Sequence, residues 1–404
     1  MRVVINGWFW DQPETGSGQY VRRLAKALVA ANPSIRLTIL VPATAKTATE
    51  SSAGARLRLV HSPTGRTDLR KLWWEQVRVP RLVLDLQADL LHIPYWAPPL
   101  SARCPIIVTA HDIIPLILPA YRGNFLVRLY TNLVSTATSR ARLVLTDSEA
   151  SRQDILRHLR LASDRVRTVP LAVGDLYSPD ASDDDVAVIE ALQLPEAYLL
   201  YLGGFDIRKN LRCAVRAFRS VCRRHPQAKL IVAGRLPEHD TTFTPSPVRL
   251  AREADLPEDA VRYLGFIAET HKPTLYRKAR ALIFPSRYEG FGYPVLEALA
   301  CGTPVVASNT ASLPEVVGPA GVLLDPDDEK GMATAMIQFL LNDAYHAEMS
   351  ARAVRQSRRF SWRRTAQDTL ACYREALEPT GPATTNADKC ISRATMEREC
   401  DQYK

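Results

Sequence analysis

The chain has 404 residues, 46% of them hydrophobic and 24% charged, with a formal net charge of +9. That length exceeds one compact core and implies two or three domains, and no apolar run approaches the ~20 residues of a helical membrane span. Seven scattered cysteines without a CxxC pair argue against a disulfide framework or zinc site and for a reducing, cytoplasmic setting. The basic surplus suits an anionic substrate or an anionic membrane surface. No RNP, helix-turn-helix or finger pattern accompanies it, so nucleic acid is not an expected partner.

The opening MRVVINGWFW lacks a signal-peptide layout and reads as a first buried strand, Val3–Ile5. A loop, Trp8–Pro13, leads into ETGSGQYVRRLAKAL. There Gly16 and Gly18 precede an amphipathic helix carrying Val21, Leu24, Ala25 and Leu28. A lone GxG is weak, and without a third glycine it does not support a dinucleotide fold. Further strands are expected at Leu37–Val41, Leu57–Val60, Leu90–Ile93, Ile106–Thr109, Leu143–Thr146 and Val166–Val169. His111 and Asp112 end the strand Ile106–Thr109, and ligands of parallel α/β sheets bind at carboxyl ends of strands. His111 is therefore a candidate for chemistry, with Asp112 orienting its ring; the plainer alternative is a histidine that only caps a loop. Leu116–Tyr130 mixes Leu116, Phe125, Leu126 and Leu129 with Arg122 and Arg128. It reads either as a core-facing helix with a solvated face or as a helix lying on a membrane.

The acidic stretch Val173–Pro195, with Asp183–Asp185, reads as a linker. Beyond it the strands expected are Tyr198–Leu202, Leu230–Ala233, Val261–Leu264, Ala281–Phe284, Val305–Ala307 and Gly321–Leu324. Continuous apolar strands separated by helical patterns argue for parallel sheets covered on both faces, and their number argues for two domains. GGFDIRKN, Gly203–Asn210, follows the first of these strands and precedes a helix, Leu211–Cys222. Gly204 opens the turn, and Arg208 and Lys209 stand at the helix start, where two cations suit a pyrophosphate. A basic surface turn is the alternative reading. About 80 residues later comes FPSRYEGFGYPVLEALACGTP, Phe284–Pro304. Gly290 and Gly292 let its backbone approach a ligand, and Pro294 suits the first turn of a helix that stops at Gly302. Glu289 in the loop and Glu297 near the first turn can accept hydrogen bonds from hydroxyls. Ser361 is a plausible cap for a last helix over Trp362, Thr365, Leu370 and Tyr373. Residues 379–404 lack apolar periodicity and are expected to be disordered.

Taken together, HDIIPL, GGFDIRKN and SRYEGFGYPVLEALACGTPVVASNTASLPEVVG resemble the retaining family 4 glycosyltransferases, and within them bacterial polysaccharide mannosyltransferases. The resemblance implies the GT-B fold: two Rossmann-like doubly wound α/β domains facing across a cleft. It divides the chain into an acceptor-binding domain 1–176, completed by a crossover helix 361–378, and a donor-binding domain 177–360. It implies a nucleotide-sugar donor, GDP-mannose before UDP-sugars or dTDP-rhamnose, and a glycan or lipid-linked glycan acceptor at the inner face of the cell membrane. It also implies metal independence, because Arg208 and Lys209 neutralise the leaving diphosphate. His111 faces the reacting centre, and Glu289 with the amides of Gly290, Phe291 and Gly292 holds the sugar. Glu297 holds the ribose, while Gly16, Gly18, Gly204 and Asn210 complete the donor site. The segment Asn309–Glu315 resembles the family's downstream loop, with no contact assigned. An epimerase or oxidoreductase would want a GxGxxG after the first strand, which is absent. A non-catalytic scaffold of the same fold would be expected to lack one of Arg208, Lys209, Glu289 or Glu297, and all four are present.

Overall fold

A computed structural model describes residues 1–43, 54–61 and 67–379. The tail expected to be disordered lies outside the described residues, apart from Pro379. Among the described residues thirteen strands form two sheets in which every pairing is parallel. The first sheet has the order β3-β2-β1-β4-β5-β6-β7, from β1 (Arg2–Asn6), β2 (Arg36–Pro42), β3 (Arg56–Val60), β4 (Leu90–Ile93), β5 (Ile106–Thr109), β6 (Leu143–Thr146) and β7 (Val166–Thr168). The second has the order β10-β9-β8-β11-β12-β13, from β8 (Leu199–Leu202), β9 (Leu230–Ala233), β10 (Val261–Gly265), β11 (Ala281–Phe284), β12 (Val305–Ser308) and β13 (Gly321–Leu324). Strands β4, β5, β6, β8, β9, β11 and β12 are buried at every position, which is why they read as unbroken apolar runs. In each sheet the order reverses once, between β1 and β4 and between β8 and β11. Such switch points open a crevice at the carboxyl ends of the strands.

The helix Gly16–Ala31 follows β1 and buries Tyr20, Val21, Leu24, Ala25 and Leu28. The last helix, Trp362–Leu377, is capped by Ser361 and packs on Gly16–Ala31, β4 and β5. Its Tyr373 hydroxyl meets Nδ1 of the fully buried His92 at 2.7 Å, and His92 Nε2 lies 2.8 Å from Thr109 Oγ1. Among the described residues no helix is long and apolar enough to cross a membrane.

Two local expectations change. Leu116–Tyr130 is not one helix: it breaks into Ile114–Ile117, a 3-10 turn Pro119–Tyr121 and the start of Phe125–Arg140. Pro119 lacks the N–H a continuing helix needs, and Gly123 adopts φ +64°. The acidic stretch read as linker contains a helix, Asp185–Leu192. Asp185 is buried there, bonded to Thr274 Oγ1 at 2.7 Å and paired with the Arg277 guanidinium.

Candidate active site

The loops after β8 and β11 meet at the second sheet's switch point. Past Leu202, Gly203 and Gly204 turn the chain, and Asp206 caps the short turn Ile207–Lys209 by accepting from Arg208 N at 3.2 Å. Asn210 takes a left-handed conformation at φ 54° and starts the helix Leu211–Arg224. The turn aims Arg208 and Lys209 at the loop after β11. Lys209 Nζ lies 2.7 Å from Glu289 Oε1, and Arg208 Nη1 lies 3.1 Å from Glu289 Oε2. Ser286 Oγ also donates to Glu289, at 2.5 Å, while Arg208 Nη1 donates to the Tyr288 carbonyl at 2.8 Å. Burial alone would push the Glu289 carboxyl up; Lys209 and Arg208 outweigh it, and the group lies below the usual glutamate range. Burial likewise disfavours the Arg208 charge, and Glu289 with Asp206 more than restores it. The glutamate expected on the sugar and the cations expected on the diphosphate thus form one compact ionic unit.

The first sheet supplies the facing wall. His111 follows β5, and its Nδ1 lies 2.7 Å from Oδ2 of Asp147, which is buried at the end of β6. Asp112 does not orient the ring as expected, because its carboxylate accepts instead from Ile114 N at 3.2 Å. Burial pulls the imidazole pKa down, but the Asp147 charge and hydrogen bond raise it overall. Tyr20 meets the His111 ring edge-on at 4.7 Å, and His111 Nε2 forms no well-aligned hydrogen bond among the described residues.

The two walls touch. The Gly290 carbonyl accepts from Ser148 Oγ at 2.8 Å and Ser151 Oγ at 3.0 Å. A Cβ at Gly290 would lie 2.3 Å from the His111 carbonyl oxygen, so only glycine allows this approach. The Tyr121 hydroxyl bonds Asp206 across the cleft, and Tyr288 donates to Asp154 at 2.8 Å. Glu315 accepts from Glu149 N and Ala150 N, both at 2.8 Å, at the amino end of the helix Glu149–Leu159.

The remaining expected site residues divide. Gly292, at φ +100°, caps the helix Tyr293–Ala300 beside the ionic unit. Glu297 lies in the second turn of that helix rather than the first; it is buried, accepts from the Tyr276 hydroxyl at 2.8 Å, and burial raises its pKa. Phe291 packs its ring against Phe360 in the core, and its carbonyl accepts from Ser312 Oγ at 2.9 Å. Asn210 is spent on structure, donating to the Pro326 carbonyl at 2.7 Å. Gly204 is exposed at its turn, and Gly16 has open space beside it. Gly18 instead serves packing, since a Cβ there would lie 2.0 Å from the Gln12 carbonyl oxygen. Asp147, Ser286 and Tyr121 escaped the sequence reading. Of these only Asp147 left a signal, ending a buried strand as His111 does.

Residues 15–174 match the family described as Glycosyltransferase Family 4, and residues 184–359 match Glycosyl transferases group 1. The chain is 35% identical over 273 residues to the O-antigen chain mannosyltransferase B of Escherichia coli, covering 66% of this chain and 70% of that protein. It is 29% identical over 280 residues to the serotype-specific mannosyltransferase WbdA of Escherichia coli, covering 67% of this chain but only 34% of that longer protein. Among solved structures, the sucrose-phosphate synthase of Thermosynechococcus elongatus superposes with a TM-score of 0.72 at 23% identity, covering 93% of this chain and 98% of that one. At that identity the likeness speaks for the GT-B fold alone.

Proposed function

The chain belongs to glycosyltransferase family 4, and we propose that this glycosyltransferase moves mannose from GDP-mannose, with retention, onto a glycan or lipid-linked glycan of a surface polysaccharide. The observation that carries the reading is the ionic unit Arg208–Lys209–Glu289 at one switch point, facing His111 across a closed cleft. The mannosyl donor is supported by the names of the Escherichia coli relatives.

The acceptor hydroxyl oxygen attacks the anomeric carbon as the bond from that carbon to the diphosphate oxygen breaks. The electron pair leaves with the diphosphate, and a phosphate oxygen takes the acceptor proton. The sugar passes through an oxocarbenium-like state. Arg208 and Lys209 stabilise charge growing on the diphosphate without a metal ion, and their partial burial strengthens their pull. Glu289 holds those cations in register and offers its oxygens to sugar hydroxyls, with the amides of Gly290 and Gly292 beside it. Glu297 accepts from the ribose. His111, held by Asp147, faces the sugar.

The protein works in the cytoplasm, and peripheral contact with an anionic membrane face is part of the reading. Its support is the start of the helix Phe125–Arg140, where Phe125 is 77%, Leu126 68% and Leu129 57% exposed beside exposed Arg122 and Arg128. The deciding measurement is thermal stabilisation by GDP, UDP and dTDP. A ligand at 100 times its Kd adds about 2.7 kcal/mol. A shift with UDP or dTDP but not GDP rejects the donor, and an inverted product anomer rejects retention.

A further inference from the structure

The first sheet has a switch point of its own, between β1 and β4, and the chemistry above leaves it unused. What stands there is aromatic. Asn6 ends β1 and donates to the Tyr95 hydroxyl at 2.7 Å, two residues beyond β4. Phe9, in the loop after β1, meets the Tyr95 ring edge-on at 4.9 Å. Between them sits an ammonium: Lys71 Nζ lies 5.9 Å from the centre of Phe9, 5.2 Å from Tyr95 and 5.3 Å from Tyr130. It also lies 2.9 Å from Glu75 Oε1, and it donates to the Tyr130 hydroxyl, which donates in turn to Glu75 Oε2 at 2.8 Å. Glu75 is fully buried, while Lys71 is 26% exposed. The segment holding Glu75, Trp74–Arg78, is a π-helix, a rare form that recurs at functional sites.

We propose that this ring-lined ammonium is the subsite for the terminal sugar of the acceptor, and that this sugar is uncharged. The inference rests on the transferase reading above and names its acceptor side. A pyranose offers a C–H face that packs on aromatic rings and hydroxyls that bond an ammonium, and such mixed walls characterise small-molecule sites. The charge balance selects against a phosphate. Lys71 is already neutralised by Glu75, so a phosphate would pull the cation from a carboxylate with no solvent of its own and leave it buried and uncompensated. A neutral hydroxyl ligand leaves the pair whole. The place also fits the reaction: β4 and β5 are neighbours, and Tyr95 stands two residues beyond β4 as His111 stands two residues beyond β5.

The test uses the full chain and two variants, Lys71→Met and Phe9→Ala, with melting curves to show that each is folded. Mannobiose is the neutral probe and mannose 6-phosphate the charged one. Saturation-transfer NMR with GDP present reads binding; with turnover, the split between acceptor and donor KM reads the role. The wild type binds mannobiose in preference to mannose 6-phosphate. Each variant loses that binding, or raises acceptor KM by about tenfold, the size of one lost aromatic contact, while donor KM stays within about twofold. Phe9→Tyr restores binding. Unaltered mannobiose binding in both folded variants overturns the proposal, as does preference for the phosphate, no mannobiose binding by the wild type, or an equal rise in donor KM. GDP stabilisation of the same preparations is scored separately, so a failed subsite is not confused with a failed donor reading.

Discussion

The two switch points are built on opposite plans. At β8/β11 the chemistry is ionic and local: Arg208, Lys209, Ser286 and Glu289 come from two short loops. At β1/β4 it is aromatic and dispersed, drawing Asn6, Phe9, Lys71, Glu75, Tyr95 and Tyr130 from four separate segments. A nucleoside diphosphate presents concentrated charge, and a few cations beside a helix start meet it. A neutral sugar presents faces and hydroxyls, and only a surface gathered from several elements matches it. On the proposed reading, like crevices in like sheets would take different ligands through side-chain chemistry alone.

The contrast breaks most readily on its ionic side. Lys209→Ala is expected to lower kcat by at least ~10²-fold, as loss of a preorganised charge-stabilising group does. Steady-state transfer with an unchanged melting curve checks it, and an active folded variant refutes the diphosphate role. Next comes the facing wall: Asp147→Asn should reduce kcat about tenfold or more by freeing the His111 ring, with Asp112→Asn costing distinctly less. Equal losses would restore the orienting role to Asp112. Within the helix after β11, Glu297→Ala should raise donor KM about tenfold with kcat little changed, whereas Glu289→Ala should act chiefly on kcat. Kinetics near wild type in both would sink the site assignment.

The smallest effect concerns acid. Burial pushes His92 down to about 3 from an ordinary value of 6.5. As pH falls below about 6.5 the unfolded chain takes up this proton and the folded one does not. Stability is therefore full above that pH and declines toward pH 3, by about 1.4 kcal/mol per unit once well below 6.5. The depressed Glu289 carboxyl adds to the acid loss only below the ordinary glutamate range, where the unfolded chain takes up the proton before the folded one. Mild acid should thus strain the β4 side first. Urea unfolding at pH 7 and pH 5 checks this: a His92→Asn variant should lose less over that interval than wild type, and equal losses would clear His92 of the effect.

Much of this is legible in the amino-acid sequence alone. All thirteen strands were visible, the interior ones because parallel strands apolar on both faces need no alternation to be recognised, and the half-exposed edge strands β3, β10 and β13 as short apolar-rich runs. The β8/β11 residues were legible because each of the two loops is a dense local motif, GGFDIRKN and SRYEGFG, even though Lys209 and Glu289 lie 80 residues apart. Asp147 and Tyr121 were not, since neither stands in such a motif and each gains its role only from its partner, His111 or Asp206. Phe291 was expected to act through its backbone amide, and its ring turns into the core. The break in Leu116–Tyr130 was written in Pro119 and Gly123, which the apolar pattern around them masked.

One contact bears on the cycle that the proposed function implies. The Gly290 backbone, on the loop that would hold the sugar, is gripped by Ser148 and Ser151 of the opposite sheet and pressed against the His111 carbonyl. On the proposed reading a bulky nucleotide would pass this point only with the halves swung apart, so loading of fresh donor and escape of spent nucleotide would share a single opening stroke. Turnover is then expected to slow in viscous solvent in proportion to that stroke, with the sealed interval between strokes protecting the activated sugar from water.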